Sequence, residues 1–296
     1  MSEKERAYAK INLFLDVLSK RRDGFHGVRT VMHTIDIADE LEIEIIEDGK
    51  SAVTISVVGD PNVPNDENNI VYTAVDLYRK KCGLDYSVRV KLTKNIPSAA
   101  GLAGGSSDAA AMLRVLNRVN PNPLQLDDLL QIAMDIGSDV AFCVVGGTAV
   151  CEGRGELLIP IENFEPRIFV IAKGKKGVTS KSAYAALDDY YEEYGQKTKG
   201  NSDEALLAIV YALANGRPLT GLLYNSFEAV TSTGMQVTGI KDIMRAMNAQ
   251  AVLMSGSGPA VYGVFSREDV AERVADILRQ SGIFAVVSKS VGAYRL

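Results

Sequence analysis

The stretch IPSAAGLAGGSSDAAAMLRVLN, residues 96–117, crowds small side chains into a run that passes without a break into an apolar, helix-patterned segment. The preceding residues, DYSVRVKLTKN, alternate between apolar and polar and predict a strand that leads into the run. We expect Gly101, Gly104 and Gly105 to adopt positive φ and to let the backbone approach a ligand closely. A strand, a glycine-rich loop and a helix N-terminus in this order present backbone N–H groups to an anion, so the run predicts a phosphate-binding loop.

The same run could instead form a tight strand-to-helix turn that binds nothing, and the loop alone leaves that alternative open. Ser106 and Ser107 add hydroxyl groups that either cap the helix or reach a phosphate or its metal. The run contains neither G-x-x-x-x-G-K-[ST] nor G-x-G-x-x-G, so it does not belong to the best-known nucleotide-binding signatures. A second glycine-rich turn, SGSGP at 255–259, has the same two interpretations, a strand-connecting turn or a part of the phosphate site.

Composition and charge restrict the partners of the chain. It has 296 residues, 47% of them hydrophobic, and a net charge of −5, with its lysines and arginines spread along the chain in runs of no more than three. This indicates a globular protein and argues against nucleic acid or an anionic membrane surface as its partner. Apolar runs fall short of the roughly 18 residues that span a bilayer, and the charged N-terminus does not resemble a signal peptide. We therefore expect a cytoplasmic protein, either a monomer or a homodimer.

Helices and strands mix along the chain without a regular βα repeat. Alternation of apolar and polar residues predicts strands near the N-terminus. Helical spacing predicts one helix over 70–83 and another over 124–137, and a third that begins at a Ser107–Asp108 cap and ends at about Val119. The segment VAFCVVGGTAVCEGRGELLIPI, from residue 140 onward, predicts short strands around a turn. We expect an α+β architecture of two lobes that meet near residue 165, one over 1–165 and one over 166–296.

Three motifs resemble those of the GHMP kinases. PSAAGLAGGSSDAAA resembles their second motif, P-x-x-x-G-L-G-G-S-S-x-A-A or a close variant, while AYAKINLFLDV resembles the first and MSGSGPAVYGVF the third. The resemblance implies a two-lobed GHMP kinase fold, with an N-terminal lobe like ribosomal protein S5 domain 2 and a C-terminal ferredoxin-like lobe. It also implies that ATP and Mg2+ bind between the lobes, and no residue is assigned to the metal. The residues assigned to ATP are Pro97, Ser98, Ala99, Ala100, Gly101, Leu102, Ala103, Gly104, Gly105, Ser106 and Ser107.

Lys10 and Asp139 match the catalytic pair of that family. Phosphorylation of an alcohol requires a carboxylate that accepts the hydroxyl proton and a cation near the transferred phosphoryl group. Taken alone, Asp139 in a Gly-Ser-Asp triplet is more often a turn or helix cap, and Lys10 an edge-strand lysine. An ammonium group beside Asp139 would keep the carboxylate ionised and ready to act as a base.

Further stretches resemble the GHMP kinases that act on a cytidine-diphosphate-linked sugar alcohol; they cover residues 9–43, 136–156 and 177–188. The resemblance implies that Asn12 holds the substrate near its phosphates. It further implies that Phe25 stacks on the base, that His26 hydrogen-bonds the base edge, and that Tyr184 closes the other face. Taken singly, Phe25 and Tyr184 are more often core residues than base platforms.

The loop departs from those kinases where Ala99, Ala100 and Ala103 replace the usual glycines. Because methyl groups restrict positive φ, we expect the loop to lie slightly differently on the triphosphate. Two other functions remain open: a GHMP kinase for another small alcohol, such as homoserine or mevalonate, and a nucleotide-binding sensor that has lost catalysis. Retention of both Lys10 and Asp139 argues against the sensor. RNA binding, suggested by an S5-like lobe, is disfavoured by the acidic charge balance.

Overall fold

A computed structural model of the chain describes residues 1–22, 24–155, 157–162, 165–174, 179–195, 202–231 and 235–294. In chain order, the elements within these residues are β1 (Ser2–Lys20), β2 (His26–Ile46), β3 (Val53–Val58), α1 (Ile70–Cys82), β4 (Ser87–Thr93), α2 (Gly104–Val119), α3 (Leu126–Ile136), α4 (Ser138–Val145), β5 (Thr148–Glu152), β6 (Leu157–Pro160), β7 (Ile168–Lys173), α5 (Ser180–Tyr194), α6 (Ser202–Ala214), β8 (Tyr224–Asn225), α7 (Glu228–Thr231), α8 (Met235–Ala246), β9 (Ala251–Met254), β10 (Ala260–Phe265), α9 (Glu268–Gln280) and β11 (Phe284–Lys289).

The larger sheet has, in the described part of the chain, seven strands built around the long antiparallel pair β1 and β2. The strand order is β3-β4-β2-β1-β8, and β5 pairs with both β2 and β6. Helices α1 to α4 pack against one face of this sheet in a single apolar cluster. The middle of β1 is buried on both faces, since Ala9, Ile11 and Leu13 belong to a second cluster shared with β7 and β10. Side chains alternate along a strand, so Lys10 and Asn12 lie on the opposite face of β1.

The smaller sheet is antiparallel, with the order β11-β7-β10-β9, and α8 and α9 pack on it. Its other face packs against β1 and β2, with Phe169 and Tyr262 among the shared core residues. The two sheets with their own helices form an α+β protein. The division near residue 165 stays a prediction, and β8 joins the larger sheet although it lies in the second half of the sequence.

Two elements differ from the sequence-based expectation. Residues 138–145 form α4, where the run VAFCVV predicted a strand, because a short apolar run does not distinguish a buried helix from a buried strand. Helix α2 begins at Gly104 after Ala103, so the predicted Ser107–Asp108 cap is wrong. The Ser107 hydroxyl is buried and lies 2.7 Å from the carbonyl oxygen of Tyr8.

Helices α1 and α3 lie where the sequence predicted them. Asn69 caps α1 by accepting a hydrogen bond from the backbone N–H of Val71, and Gly83 ends it in the left-handed conformation. Within the residues that the structure describes, the helices lack the length and apolar content needed to cross a bilayer.

Candidate active site

A cavity of about 1000 Å³ opens beside β1 and is bounded by the loop before α2, the start of α4, the turn before β2, and α5. It gathers residues that are far apart in the sequence. Except for Ser107, every residue predicted for the site lines this cavity. Ser107 instead makes its contacts inside the protein, with the carbonyl oxygens of Tyr8 and Ala103. The structure therefore brings the predicted loop, the predicted catalytic pair and the predicted base-binding residues together.

The loop over 97–103 has positive φ at Ala99, Gly101 and Ala103, with values of 49°, 80° and 58°. Gly104 and Gly105 are the first residues of α2, so positive φ at these two positions was a wrong prediction. A left-handed alanine costs about 1–2 kcal/mol, which the surroundings must offset. Backbone hydrogen bonds hold the loop in place, because its carbonyl oxygens at 100 and 102 accept from the N–H groups of Ala260 and Lys10.

The turn over 255–259 packs directly against this loop. The Ser255 hydroxyl donates to the carbonyl oxygen of Gly101 at 2.9 Å, and it also accepts from the N–H of Asn12 at 3.3 Å. A Cβ atom on Gly101 would overlap the Ser255 carbonyl oxygen, so only glycine permits this close approach. The Asn225 side chain fixes the turn by donating to the carbonyl oxygens of Met254 and Gly256, both at 2.8 Å. The turn of the third motif thus holds the loop of the second motif in place through contacts with its backbone.

Lys10 and Asp139 form an ion pair, with 3.3 Å between Nζ and the carboxylate Oδ2. The Lys10 side chain is only 5% exposed, whereas that of Asp139 is 33% exposed toward the cavity. Asp139 lies in the first turn of α4, where the N-terminal end of the helix favours a carboxylate. Lys10 is therefore not a solvated edge lysine, since it is buried beside a carboxylate that solvent can reach.

Asn12 is held in one orientation next to Lys10. Its Nδ2 donates to the hydroxyl of Thr30 at 2.8 Å, and that hydroxyl donates to the carbonyl oxygen of Phe14 at 2.6 Å. The Asn12 Oδ1 atom is thereby left to accept from Lys10 Nζ at 2.8 Å. This chain of hydrogen bonds aims both the amide and the ammonium group toward the cavity.

Phe25, His26 and Tyr184 line the part of the cavity that is bounded by the turn before β2 and by α5, here called the aromatic end. Phe25 is 54% exposed, and the Arg154 guanidinium lies 5.1 Å from its ring centroid. The ring of His26 stacks on that of Tyr184 with 5.0 Å between centroids and an interplanar angle of 20°. Burial raises the pKa of Tyr184 to about 12, and the negative charge of Asp139 adds to this. Tyr184 thus packs against His26 in this structure, a contact that the sequence did not predict.

Sequence comparison relates the chain to a known family. The GHMP kinases N terminal domain matches residues 69–147, and the GHMP kinases C terminal domain matches residues 210–283. The chain is 42% identical over 275 residues to the 4-diphosphocytidyl-2-C-methyl-D-erythritol kinase of Caldicellulosiruptor saccharolyticus, an alignment that covers 93% of this chain and 92% of the relative. The chain belongs to the GHMP kinases. It is therefore a phosphotransferase that uses ATP, as the sequence motifs predicted.

Other GHMP kinases agree with this assignment. The 4-diphosphocytidyl-2-C-methyl-D-erythritol kinase of Shouchella clausii is 39% identical, over 93% of this chain and 89% of that protein. A crystal structure of 4-(cytidine 5'-diphospho)-2C-methyl-D-erythritol kinase superimposes with a TM-score of 0.80 at 32% identity, covering 98% of this chain and 100% of the other. Homoserine kinase from Cytophaga hutchinsonii, with a TM-score of 0.75 at 20% identity over 99% and 95% of the two chains, supports the fold alone. The predicted two-lobed GHMP kinase fold is confirmed.

This GHMP kinase also contains site residues that the sequence did not single out. Beside the loop, the cavity extends into a groove lined by Asn62, Val63, Pro64, Asn68 and Ile70. The sequence GDPNVPNDENN indicated only a loop there, because runs of Asn, Asp and Pro are typical of turns. At the aromatic end, Lys20 and Asp188 line the same cavity. Their signal was equally weak, since an isolated charge at a strand end or on an acidic helix face is usually solvated.

A buried group of charges lies beneath the loop of this GHMP kinase. The Lys94 ammonium contacts both Asp39 and Asp108, the latter at 2.6 Å, and all three side chains are buried. Burial raises the pKa of the Asp108 carboxyl well above its usual range, although the charge of Lys94 opposes the rise. Asp39 also accepts hydrogen bonds from the backbone N–H groups of Asn95 and Ile96. The group therefore fixes the chain where it enters the loop.

Proposed function

We propose that the chain transfers the γ-phosphoryl group of ATP to the 2-hydroxyl of 4-diphosphocytidyl-2-C-methyl-D-erythritol, a step of the non-mevalonate route to isoprenoid precursors. The observation that carries the proposal is the Lys10–Asp139 pair, 3.3 Å apart in the cavity that also contains the glycine-rich loop. The substrate is supported by relatives of that name at 39% and 42% identity, each aligned over 93% of this chain.

In the proposed reaction, Asp139 is the general base. The substrate hydroxyl attacks the γ-phosphorus, its proton moves to the Asp139 carboxylate, and the bond to the β-phosphate oxygen breaks to release ADP. Lys10 has two roles, because its ammonium group forms an ion pair with Asp139 and also stabilises negative charge on the transferred group. Asn12, held by Thr30 and Lys10, positions the substrate near its phosphates.

The nucleotide occupies the loop and the adjoining groove. Backbone N–H groups at the start of α2 and the positive end of its dipole bind the phosphates. The groove suits a purine, because Val63, Pro64 and Ile70 supply apolar surface while Asn68 supplies hydrogen-bonding groups. The hydroxyl of Ser106 lines the same cavity beside these N–H groups, and its oxygen would suit Mg2+, which prefers oxygen ligands. When bound, Mg2+ neutralises charge on the phosphates.

The cytosine base is proposed to bind at the aromatic end of the cavity. Phe25 offers a ring that is 54% exposed, and His26 offers hydrogen-bonding groups to the base edge. Tyr184 holds His26 in place at this end, because the two rings stack on each other. The Tyr184 ring also packs edge-on against Phe227, with 4.9 Å between centroids. The cytoplasmic location and the monomeric or homodimeric state remain predictions from the sequence.

The test compares Asp139→Asn with Asp135→Asn, which removes the same charge from the exposed surface of the neighbouring α3. With ATP, Mg2+ and the cytidine substrate, we expect Asp139→Asn to lower kcat by about 10²–10⁴-fold, while ATP affinity by calorimetry stays within about threefold. The control should retain wild-type kcat. Undiminished turnover by Asp139→Asn would show that Asp139 is not the base. Wild-type turnover of homoserine or mevalonate, with none of the cytidine substrate, would refute the proposed substrate.

A further inference from the structure

Asp188 connects α5 to the turn that begins β2. One of its carboxylate oxygens, Oδ1, lies 2.6 Å from Nε2 of His26, and the other, Oδ2, lies 3.3 Å from Nζ of Lys20. Lys20 and His26 are directly opposite each other on β1 and β2, so their side chains lie on the same face of the strand pair. Asp188 therefore contacts two residues, Lys20 and His26, that precede it by more than 160 positions in the sequence. The three residues line the same cavity.

The ring of His26 is fixed from two directions by one face of α5. Tyr184 and Asp188 are four residues apart on this helix and so project from the same face. Tyr184 stacks on the imidazole at 5.0 Å, and Asp188 holds its Nε2 atom. The His26 side chain is only 8% exposed. Thr179 begins α5 by accepting a hydrogen bond from the N–H of Ser182, which sets the position of this face.

The contact with Asp188 fixes which ring nitrogen of His26 carries a proton. Lys20 also contacts this carboxylate, so Asp188 has a positive partner besides the ring. A neutral ring that contacts a carboxylate through Nε2 carries its proton there, which makes Nδ1 an acceptor. Among the described residues, Nδ1 of His26 has no hydrogen-bond partner, and the residue lines the cavity.

We propose that Asp188 is a positioning residue that holds His26 in the Nε2–H tautomer, so that Nδ1 accepts a hydrogen bond from the amino group of cytosine. This rests on the proposed function, in which His26 faces the edge of the base. Cytosine presents a donor at this edge, whereas uracil presents a carbonyl oxygen, and two acceptors repel each other. A site built to accept from the amino group rejects the base that lacks it, because its polar atom is then left unpaired. Asp188 thus makes the site selective for cytidine over uridine nucleotides.

The tautomer can be measured directly, because the chain has only two histidines. In protein labelled with 15N-histidine, two-bond proton–nitrogen correlations at about pH 8.5, above the ordinary titration range of histidine, report which nitrogen is protonated. We expect Nε2–H for His26 in the ligand-free wild type and a mixture of tautomers in Asp188→Ala. His33, held by Thr148 and Ser290, gives the second signal and reports that the variant is folded. An imidazolium or an Nδ1–H tautomer in the wild type overturns the proposal without any variant.

A second experiment measures how CDP and UDP inhibit the kinase reaction. We expect Asp188→Ala to weaken CDP inhibition by about tenfold or more and to raise KM for the cytidine substrate similarly, with little change in kcat and with UDP inhibition nearly unchanged. Asp189→Ala, which removes the next carboxylate from an exposed position on the same helix, should behave as wild type. If the wild type prefers CDP but Asp188→Ala retains that preference, Asp188 has no positioning role. If the wild type binds neither nucleotide, the proposed function itself fails.

Discussion

Substitution of Gly101 by alanine tests the contact between the loop before α2 and the turn over 255–259. Gly101 has a φ of 80°, and a Cβ atom there would overlap the Ser255 carbonyl oxygen and lie 3.0 Å from its carbon and 3.2 Å from the nitrogen of Gly258. All three atoms belong to the backbone, so the clash cannot be relieved by rotation of a side chain. The two segments would have to separate by about 1 Å to restore ordinary contact distances.

The expected cost follows from three contributions. Positive φ at a residue with a Cβ costs about 1–2 kcal/mol, and overpacking adds about 1–3 kcal/mol. The stiffer unfolded chain offsets about 0.4–1 kcal/mol of this cost. We therefore expect the free energy of unfolding to fall by about 1–5 kcal/mol and the Tm to fall by about 2–7 °C. Separation would also stretch the hydrogen bond from the Ser255 hydroxyl to the Gly101 carbonyl oxygen, so ATP affinity should fall as well.

Gly105→Ala is the matched control for this measurement. Gly105 lies in the first turn of α2, and a Cβ there would meet only Ile70, at an ordinary 3.6 Å. Alanine is the better helix former by about 0.5–1 kcal/mol, so this variant should be as stable as the wild type or slightly more stable. Thermal unfolding by circular dichroism distinguishes the two variants. A Gly101→Ala protein that unfolds within about 1 °C of the Gly105→Ala protein would refute the inferred backbone contact.

Two further predictions concern buried charged and titratable groups. Burial, assisted by the charge of Arg167, lowers the pKa of His33 to about 3. Because the unfolded state binds the proton more tightly, stability should fall as the pH drops from about 6.5 toward about 3, by up to about 1.4 kcal/mol per pH unit, and urea unfolding of His33→Gln should show a flatter pH profile. Lys94→Met leaves Asp39 and Asp108 buried without their cation and should lower the free energy of unfolding by about 3–5 kcal/mol in urea titrations. Recovery of part of this loss is expected in the Lys94→Met/Asp108→Asn double variant, and no loss in the single variant would refute the buried pairing.

The sequence predicted the parts of this protein that depend on local patterns. The helix over 70–83 could be predicted from its spacing, and α1 ends one residue earlier, at Cys82, with Gly83 as its cap. By contrast, α4 was missed because the six consecutive apolar residues VAFCVV carry no period. Positive φ was assigned to Gly104 and Gly105, whereas the structure places it at Ala99 and Ala103, where packing overrides residue preference.

For the site, the sequence placed residues in the cavity but could not predict their contacts. Lys10 and Asp139 were paired through the family motifs, and their 3.3 Å separation agrees with that pairing, although their catalytic roles stay a prediction. Asp188 was overlooked because its partner is distant in sequence and its own surroundings look like an ordinary acidic helix face. Ser107 was assigned to phosphate or a cap, yet its neighbours Tyr8 and Cys143 bury it. Such contacts form between segments that are distant in the sequence, so local sequence patterns cannot predict them.

The packing of the loop before α2 against the turn over 255–259 has a consequence for synthesis on the ribosome. The loop is translated before residue 104, but its supporting atoms, the Ser255 hydroxyl and the Ala260 N–H, follow about 150 residues later. A nascent chain that has emerged only as far as α8 therefore lacks the turn that supports this loop. If the loop binds ATP as proposed, we expect that affinity to be gained only near the end of translation, after β9 and β10 have joined the smaller sheet.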